Sequence, residues 1–234
     1  MRLDKLLAHS GFGTRKEVKK LIRKSLVSVN GQIVKDDDYK VDEINDEIIV
    51  DGFVVEYQKD IYIMMNKPKD YVCANHDNLH HTVFELIPEY DHMELFCVGR
   101  LDIDTTGLLL ITNDGQFAHN ITKPKKKINK LYEVLVDGII SDNDFSYFEK
   151  GVIIDIDYRC LPAKLKVIEE YDNSSLITIE ISEGKFHQVK KMVQAINLNV
   201  LELKRLKIKD LELDNSLELG DYRLLSDEEV KKFI

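Results

Sequence analysis

Residues 95–111 read LFCVGRLDIDTTGLLLI, a polar loop between two apolar segments. Apolar runs of this length are typical of buried strands. The glycines that bound the loop, and the polar residues between them, predict a tight turn. Such a turn would hold Asp102 and Asp104 beside Arg100. A strand–loop–strand unit that carries two carboxylates therefore lies at the centre of the predicted fold.

Two interpretations of these carboxylates remain open on the residues alone. A carboxylate fixed beside a cation stays ionised and can act as a nucleophile. Aspartate is also common in turns, where it only caps backbone groups.

Around this unit, predicted helices and strands are mixed without regular alternation. Alternating or apolar runs predict further strands, and helical spacing predicts several short helices. These elements are strands at 62–66, 131–136 and 176–181, and helices at 82–87, 115–121, 141–149, 187–196 and 226–234. The mixture predicts an α+β domain built on a mainly antiparallel mixed sheet with flanking helices.

The N-terminal residues predict a smaller module of two helices and a hairpin. Leucines at helical spacing up to His9 predict the first helix, and Thr14 with Glu17 forms a capping-box pattern that would begin the second. Asn30-Gly31 is a strong hairpin signal. A connector at about 55–60 follows this module. We place the domain boundary within the connector, so that the small domain occupies residues 1–56 and the larger domain occupies residues 57–234.

Charge is segregated along the chain. The 234 residues carry a formal net charge of −9, yet residues 1–35 carry +7, residues 123–130 carry +5 and residues 185–209 carry +6. Basic runs are often only solvated surface. Three such islands on an acidic chain favour binding to phosphates.

Composition also excludes several classes of protein. No run approaches the roughly 18 apolar residues that span a bilayer, so no membrane association is expected. The N-terminus lacks the apolar segment of a secretory signal. Three widely separated cysteines indicate a reducing compartment without a disulfide framework. We therefore expect a cytoplasmic protein.

The N-terminal module resembles the S4 RNA-binding domain. The match is RLDKLLAHSGFGTRKEVKKLIRKSLVSVNGQIV at residues 2–34, with the basic helix face, the break between helices and the V-N-G turn in order. The resemblance implies that one basic face contacts RNA phosphates. Its residues are Arg15, Lys16, Lys19, Lys20 and Arg23.

The larger domain resembles the RsuA/RluB/RluE/RluF family of pseudouridine synthases. Four motifs occur in the order of that family: NKPKDYVC at 66–73, GRLDIDTTGLLLITNDG at 99–115, KLYEV at 130–134 and EGKFHQVKKM at 183–192. The resemblance implies that Asp102 is the catalytic nucleophile and that Lys190 forms an ion pair with it. Tyr132 would stack on the target base and assist proton transfer.

The implied reaction needs no redox step, metal or cofactor, since the glycosidic bond breaks and the same base is rejoined through C5. We expect no cofactor. The target nucleotide must leave a stacked helix to reach Asp102. We expect further contacts with RNA from polar residues of the motifs: Lys67, Arg100, Thr105, Lys185, His187 and Gln188. His187 would orient the pocket or contact the RNA backbone.

Within the family, the last motif resembles that of the small-subunit enzymes. The expected substrate is one uridine of 16S ribosomal RNA, free or in an assembling particle, and the enzyme is expected to be a monomer. Two alternatives remain: a uridine of 23S ribosomal RNA, or a catalytically idle ribosome assembly factor of the S4 type.

Some residues depart from these patterns. The family commonly has glycine where this chain has Asp70 and Lys209, and the change at Asp70 predicts an altered loop path. Leu203-Lys-Arg205 keeps a family signature, to which we assign no role.

A small group of Cys, His and Asp side chains could instead indicate a metal site. No second Cys/His group completes a set of ligands, so no metal is expected. The residues of this small group are Cys73, His76, Asp77, His80 and His81.

Overall fold

The computed structural model describes residues 1–55, 57 and 60–234. Contacts divide the chain into two units. One comprises Met1–Ile61 with Ile87–Leu95, and the other comprises Tyr62–Leu86 with Phe96–Ile234. The boundary after residue 56 stays a prediction, and the expected connector includes residues 56, 58 and 59, which lie outside the described residues.

The N-terminal unit contains two helices and a four-stranded sheet. The elements are α1 (Leu3–His9), α2 (Arg15–Arg23), β1 (Val27–Val29), β2 (Gln32–Ile33), β3 (Ile48–Val50) and β4 (Phe53–Val54). The strand order is β2-β1-β3-β4.

Local sequence signals account for this unit. The predicted capping box is confirmed: the hydroxyl of Thr14 accepts from the backbone of Glu17, and the Glu17 carboxylate accepts from the backbone N–H of Thr14 at 2.8 Å. Asn30 and Gly31 both have positive φ, 50° and 76°, as a tight hairpin turn requires. The helices bury one apolar face in the core of this unit, whose members include Leu3, Leu6, Leu7, Val18 and Ile22.

The larger unit contains the remaining strands and helices. Its strands are β5 (Tyr62–Lys67), β6 (Tyr71–Val72), β7 (His81–Thr82), β8 (Phe96–Cys97), β9 (Thr106–Thr112), β10 (Lys130–Val136), β11 (Ile153–Ile154), β12 (Tyr158–Arg159), β13 (Lys164–Glu170), β14 (Ser175–Ile181), β15 (Val200–Ile208), β16 (Leu211–Glu212) and β17 (Tyr222–Leu224). Its α-helices are α3 (Gly115–Thr122), α4 (Asp142–Lys150), α5 (Gln188–Gln194) and α6 (Asp227–Lys231). The predicted helix at 82–87 is a short 3₁₀ helix, Val83–Leu86.

One mixed sheet organises this unit. Its order is β13-β14-β10-β15-β9-β5-β17, with β16 beside β15 and β8 beside β9. The pairs are antiparallel except for β15 and β9, which are parallel. The predicted mainly antiparallel α+β architecture is confirmed. None of the described helices has the length and apolar character needed to cross a membrane.

The parallel junction of β9 and β15 depends on a glycine. Gly107 pairs with Arg205 and has φ +98°. A Cβ at Gly107 would lie 2.3 Å from the carbonyl oxygen of Arg205. Because β9 begins directly after the Asp102 loop, this close approach sets the loop against β15.

Candidate active site

A cavity of about 440 Å³ lies in the larger unit, within the usual size range of small-molecule sites. It brings together most of the site residues expected in this unit: Arg100, Asp102, Thr105, Tyr132, Lys185, His187, Gln188 and Lys190. The expected juxtaposition of Asp102, Tyr132 and Lys190 is therefore confirmed. Their catalytic roles stay predictions.

Lys190 bridges both aspartates of the loop. Its ammonium lies 3.2 Å from the Asp102 carboxylate and 2.6 Å from the Asp104 carboxylate. Burial alone would lower the pKa of Lys190, but the hydrogen bonds and charges of the two aspartates outweigh it and raise this pKa. For Asp104, burial would raise the pKa, and the bond with Lys190 reverses this and lowers it. The cluster therefore keeps the Asp104 carboxylate ionised and the Lys190 ammonium charged.

His187 also reaches the Asp102 carboxylate, with 3.5 Å between Nε2 and Oδ1. His187 directly precedes α5, and its backbone is in the left-handed region with φ +53°. Its ring stacks on Phe186 at 3.7 Å between centroids. Asp102 therefore lies between two cationic or titratable groups.

Tyr132 supplies an aromatic wall of the cavity. It lies on β10 opposite Ile179 of β14 and Arg205 of β15, and only 8% of the residue is exposed. Residues directly opposite on antiparallel strands share a face of the sheet. The ring can therefore support a planar base next to the carboxylate cluster.

Lys67 supports the backbone of the Asp102 loop through hydrogen bonds. This lysine is fully buried, and its ammonium donates to the carbonyl oxygens of Pro68, Ile103 and Thr105 at 2.9, 3.3 and 3.0 Å. Burial lowers its pKa, while nearby acidic groups partly restore it. The predicted RNA contact of Lys67 is wrong, because its three donors already serve the loop backbone.

The structure places Gln188 and Thr105 inside the cavity, and their expected contacts with RNA stay predictions. Gln188 is 3% exposed; its amide donates to Glu183 at 2.9 Å and accepts from the backbone N–H of Lys185. Thr105 is 1% exposed. Both residues line the cavity and lie away from the outer surface, so they can meet a base inside the cavity but not the RNA backbone outside it. Arg100 and Lys185 are exposed at its rim.

Comparison with known proteins decides the family. A family model described as RNA pseudouridylate synthase matches residues 61–195, more than half of the chain. The chain belongs to this family. A second model, the S4 domain, matches residues 1–48 of the synthase.

Relatives of similar length agree. An uncharacterized RNA pseudouridine synthase of Bacillus subtilis, YtzG, is 45% identical and the match covers 98% of this chain and 97% of the relative. Ribosomal small subunit pseudouridine synthase A of Vibrio vulnificus is 42% identical, with 98% of each chain covered. A solved structure described as a crystal structure of pseudouridylate synthase is 36% identical with a TM-score of 0.70, and all of both chains is covered.

The sequence alone did not identify two cations of the synthase cavity, the half-buried Lys130 and the buried Arg205. Burial and the charge of Arg205 lower the pKa of Lys130 to about 8. Arg205 is 3% exposed and donates through Nε to the carbonyl of Leu108 at 2.7 Å. Both residues lie inside recognised motifs, KLYEV and Leu203-Lys-Arg205, which was the available signal.

The basic face of α2 is partly neutralised within its own unit. Arg23 lies 2.5 Å from Asp37, and Lys19 lies 3.8 Å from both Asp4 and Asp37. The other expected phosphate contacts, Arg15, Lys16 and Lys20, are exposed.

At the two positions where the family commonly has glycine, the backbone adopts a conformation that favours glycine. Asp70 has φ +69° and Lys209 has φ +53°, both in the left-handed region. The Asp70 N–H donates to the carbonyl of Ile103 at 2.9 Å. Asp70 is thus tied to the Asp102 loop.

The rival metal cluster is not assembled. His80 contacts Asp77 at 3.2 Å, and His81 contacts Glu85 at 2.7 Å. Cys73 instead accepts from the backbone N–H of Leu101 at 3.4 Å. Across residues 1–55, 57 and 60–234, no three His, Cys, Asp or Glu side chains are placed so that they could hold one metal ion.

Proposed function

We propose that the synthase converts one uridine of 16S ribosomal RNA to pseudouridine, with Asp102 as the nucleophile and without a cofactor. The observation that carries the proposal is the Lys190 ammonium, 3.2 Å from Asp102 in a cavity that Tyr132 also lines. The small-subunit substrate is supported by the name of the Vibrio vulnificus relative, 42% identical over nearly the whole chain.

The geometry suits this reaction. The Lys190 ammonium lies beside the Asp102 carboxylate, which can attack or stabilise the sugar–base system. Tyr132 offers a face for stacking and a hydroxyl for proton transfer. Because the cavity is recessed, the target nucleotide must be everted or already unpaired.

The S4 domain supports an RNA partner, and its exposed basic residues would hold the phosphate backbone. We further propose that the synthase acts in the cytoplasm, in keeping with its three widely separated cysteines. The monomeric state stays a prediction.

The substrate can be tested with purified synthase and transcripts labelled with tritium at C5 of uridine. Formation of the C5–C1′ bond displaces the C5 hydrogen, so tritium release reports the reaction. We expect release of about one equivalent from 16S RNA, or from its assembling particle, and none from 23S RNA. Release only from 23S RNA would contradict the small-subunit substrate, and release from neither RNA in any form would favour the idle assembly factor.

Replacing Lys190 with alanine is expected to slow single-turnover isomerisation by about 10²–10³-fold, the usual effect of losing one electrostatic stabiliser. Lys190→Arg should retain most activity because it keeps the charge. The Kd for RNA should change little in both variants.

Asp104→Asn is the matched comparison for this prediction. Asp104 is the closer partner of Lys190, but 61% of its side chain is exposed. We expect a reduction of less than about tenfold, because a solvent-exposed ion pair contributes little. A loss as large as that of Lys190→Ala would contradict the assignment of Asp102 as the reacting carboxylate.

Replacing Arg15, Lys16 and Lys20 together with glutamine is expected to weaken RNA binding and to lower the slope of log Kd against log salt by about 2, since each phosphate contact contributes about 0.7–0.9. The rate constant of the RNA-saturated enzyme should change little, because these residues lie outside the cavity. Lys19→Gln with Arg23→Gln should have the smaller effect, because Asp4 and Asp37 already neutralise these side chains. An unchanged slope in the triple variant would contradict the S4 contacts.

A further inference from the structure

Two positively charged side chains lie side by side in the cavity, apart from the Asp102 cluster. Tyr132 and Lys130 are two residues apart on β10, so their side chains leave the same face of the sheet. Arg205 of β15 lies directly opposite Tyr132. All three residues line the cavity. A base that stacks on the Tyr132 ring would therefore have these two cations along its edge.

The hydrogen-bonding capacity of this cation pair is only partly used. Lys130 donates to the carbonyl of Ile128 at 3.0 Å, and Arg205 donates through Nε to Leu108. Arg205 Nη2 and the hydroxyl of Thr105 are buried and have no hydrogen-bond partner in the described part of the chain. A buried donor without a partner is unfavourable, because the hydrogen bonds that it made with water in the unfolded chain are not replaced.

Among the described residues that line the cavity, neither carboxylate balances the cation pair. In the cavity wall, Asp102 is already bound to Lys190 and His187, and Glu183 accepts from Tyr158 and Gln188. The thiol of Cys73 is close enough to feel the charge of Arg205, but it does not line the cavity. Two like charges held together at this depth favour an oxygen acceptor or an anion as their partner.

We propose that Lys130 and Arg205 form a subsite for a carbonyl oxygen of the target uracil and stabilise the negative charge that this base acquires when it leaves the ribose. This inference rests on the proposed uridine isomerisation. It assigns catalytic contacts to two residues outside the Asp102–Lys190 pair.

The charge follows from the electrons of the reaction. The Asp102 carboxylate bonds to C1′ as the C1′–N1 bond breaks, and the electron pair of the broken bond leaves with the base, so the resulting anion shares its charge between N1, O2 and O4. The base then turns, and C5 bonds to C1′ as the Asp102–C1′ bond breaks and returns the carboxylate. C5 finally loses its proton and N1 gains one. Donors fixed at the carbonyl oxygens lower the barrier to the first step because they bind the anion more strongly than the neutral base.

The depth of the cation pair favours a base over a phosphate. Arg205 is 3% exposed, whereas Arg100, Lys123 and Lys185 are exposed residues that line the same cavity. The phosphates of an everted nucleotide stay at the mouth of the cavity, where they meet the exposed cations. Only the base reaches the face of the sheet that carries Tyr132.

The test combines protein variants with substrate analogues. Arg205→Gln and Lys130→Gln are compared with wild-type synthase on RNA that carries uridine, 2-thiouridine or 4-thiouridine at the target position. Lys164→Gln is the control, since Lys164 lies on the edge strand β13 and pairs with Glu180 outside the cavity. Single-turnover rate constants, RNA Kd and thermal unfolding are measured for each protein.

We expect each cavity variant to react about 10²–10³-fold more slowly with uridine, as when one oxyanion donor is removed, at a Kd within about twofold of wild type. Sulfur is the weaker acceptor, so thio-substitution at the contacted oxygen should slow the wild type much more than the variants. The effect of sulfur on base acidity is common to all proteins and cancels in this ratio. A residue with only a structural role would not show this coupling.

Three results would overturn the inference. If both thio-substitutions slow the wild type and the variants equally, neither side chain contacts a carbonyl oxygen of the base. A raised Kd with a lower salt slope and a normal rate would instead assign the subsite to a phosphate. Normal rates in both variants would leave no role for the cation pair. If Arg205→Gln does not fold, Lys130→Gln decides, because Lys130 is less buried. A wild type inactive on every RNA would contradict the proposed function itself.

Discussion

Asp102→Asn is expected to abolish isomerisation, lowering the single-turnover rate constant by about 10⁴-fold or more, as removal of a nucleophile does in other enzymes. Asparagine keeps the size of the side chain but cannot act as the anionic nucleophile. The loop should keep its shape, since the buried ammonium of Lys67 holds the carbonyls of Ile103 and Thr105. RNA Kd should therefore stay within about twofold of wild type.

Asp104→Asn provides the control two residues away on the same loop. The two variants remove one carboxylate each from the same lysine, so the comparison isolates which carboxylate reacts. Full activity of Asp102→Asn, or equal losses in both variants, would contradict the assignment of Asp102.

Gly107→Ala is expected to lower the thermal unfolding midpoint by about 10 °C. The new Cβ would meet the Arg205 carbonyl oxygen at 2.3 Å and the Arg205 nitrogen at 2.8 Å, and φ +98° is strained for alanine. Overpacking and a left-handed conformation together cost about 3 kcal/mol or more, and a chain of this length loses about 2–4 °C per kcal/mol. Calorimetry or circular dichroism measures the midpoint.

Gly115→Ala is the matched control for this variant. Among the described residues, no heavy atom outside its chain neighbours and the backbone of its own helix lies within 4 Å of a Cβ at Gly115, which begins α3. The midpoint should therefore stay within about 2 °C of wild type. A Gly107→Ala protein with an unchanged midpoint would show that β9 and β15 do not need this close approach.

Local signals in the sequence predicted the elements that local interactions stabilise. The predicted helix at 226–234 is present as α6, which begins with a capping box of Ser226 and Glu229, as α2 begins with that of Thr14 and Glu17. Strand β13 was not predicted, because it is an edge strand in which charged residues alternate with few buried ones. The parallel pairing of β15 with β9 joins residues about a hundred positions apart, which no local pattern encodes.

The motif resemblance predicted which side chains meet in the cavity, but not how they share partners. Lys190 was expected to pair with Asp102, and the structure shows that it also binds Asp104 at 2.6 Å. Lys67 was expected at the RNA surface, yet it is fully buried. A lysine in a sequence looks the same in either setting, because burial is decided by the strands that pack around it.

The net charge of the N-terminal residues likewise does not show which basic side chains of α2 are free to bind RNA. The net charge of residues 1–35 is +7, but it does not show that Asp37, which follows this stretch, lies 2.5 Å from Arg23. Only the folded unit distinguishes the exposed Lys16 from the paired Arg23.

The most direct measurement is a map of pseudouridine across ribosomal RNA from cells that lack the synthase, complemented with either the wild type or Asp102→Asn. We predict that one position in 16S RNA loses its pseudouridine in the deletion, regains it with the wild type and stays unmodified with Asp102→Asn. Unchanged modification at every ribosomal position, or restoration by Asp102→Asn, would contradict the account.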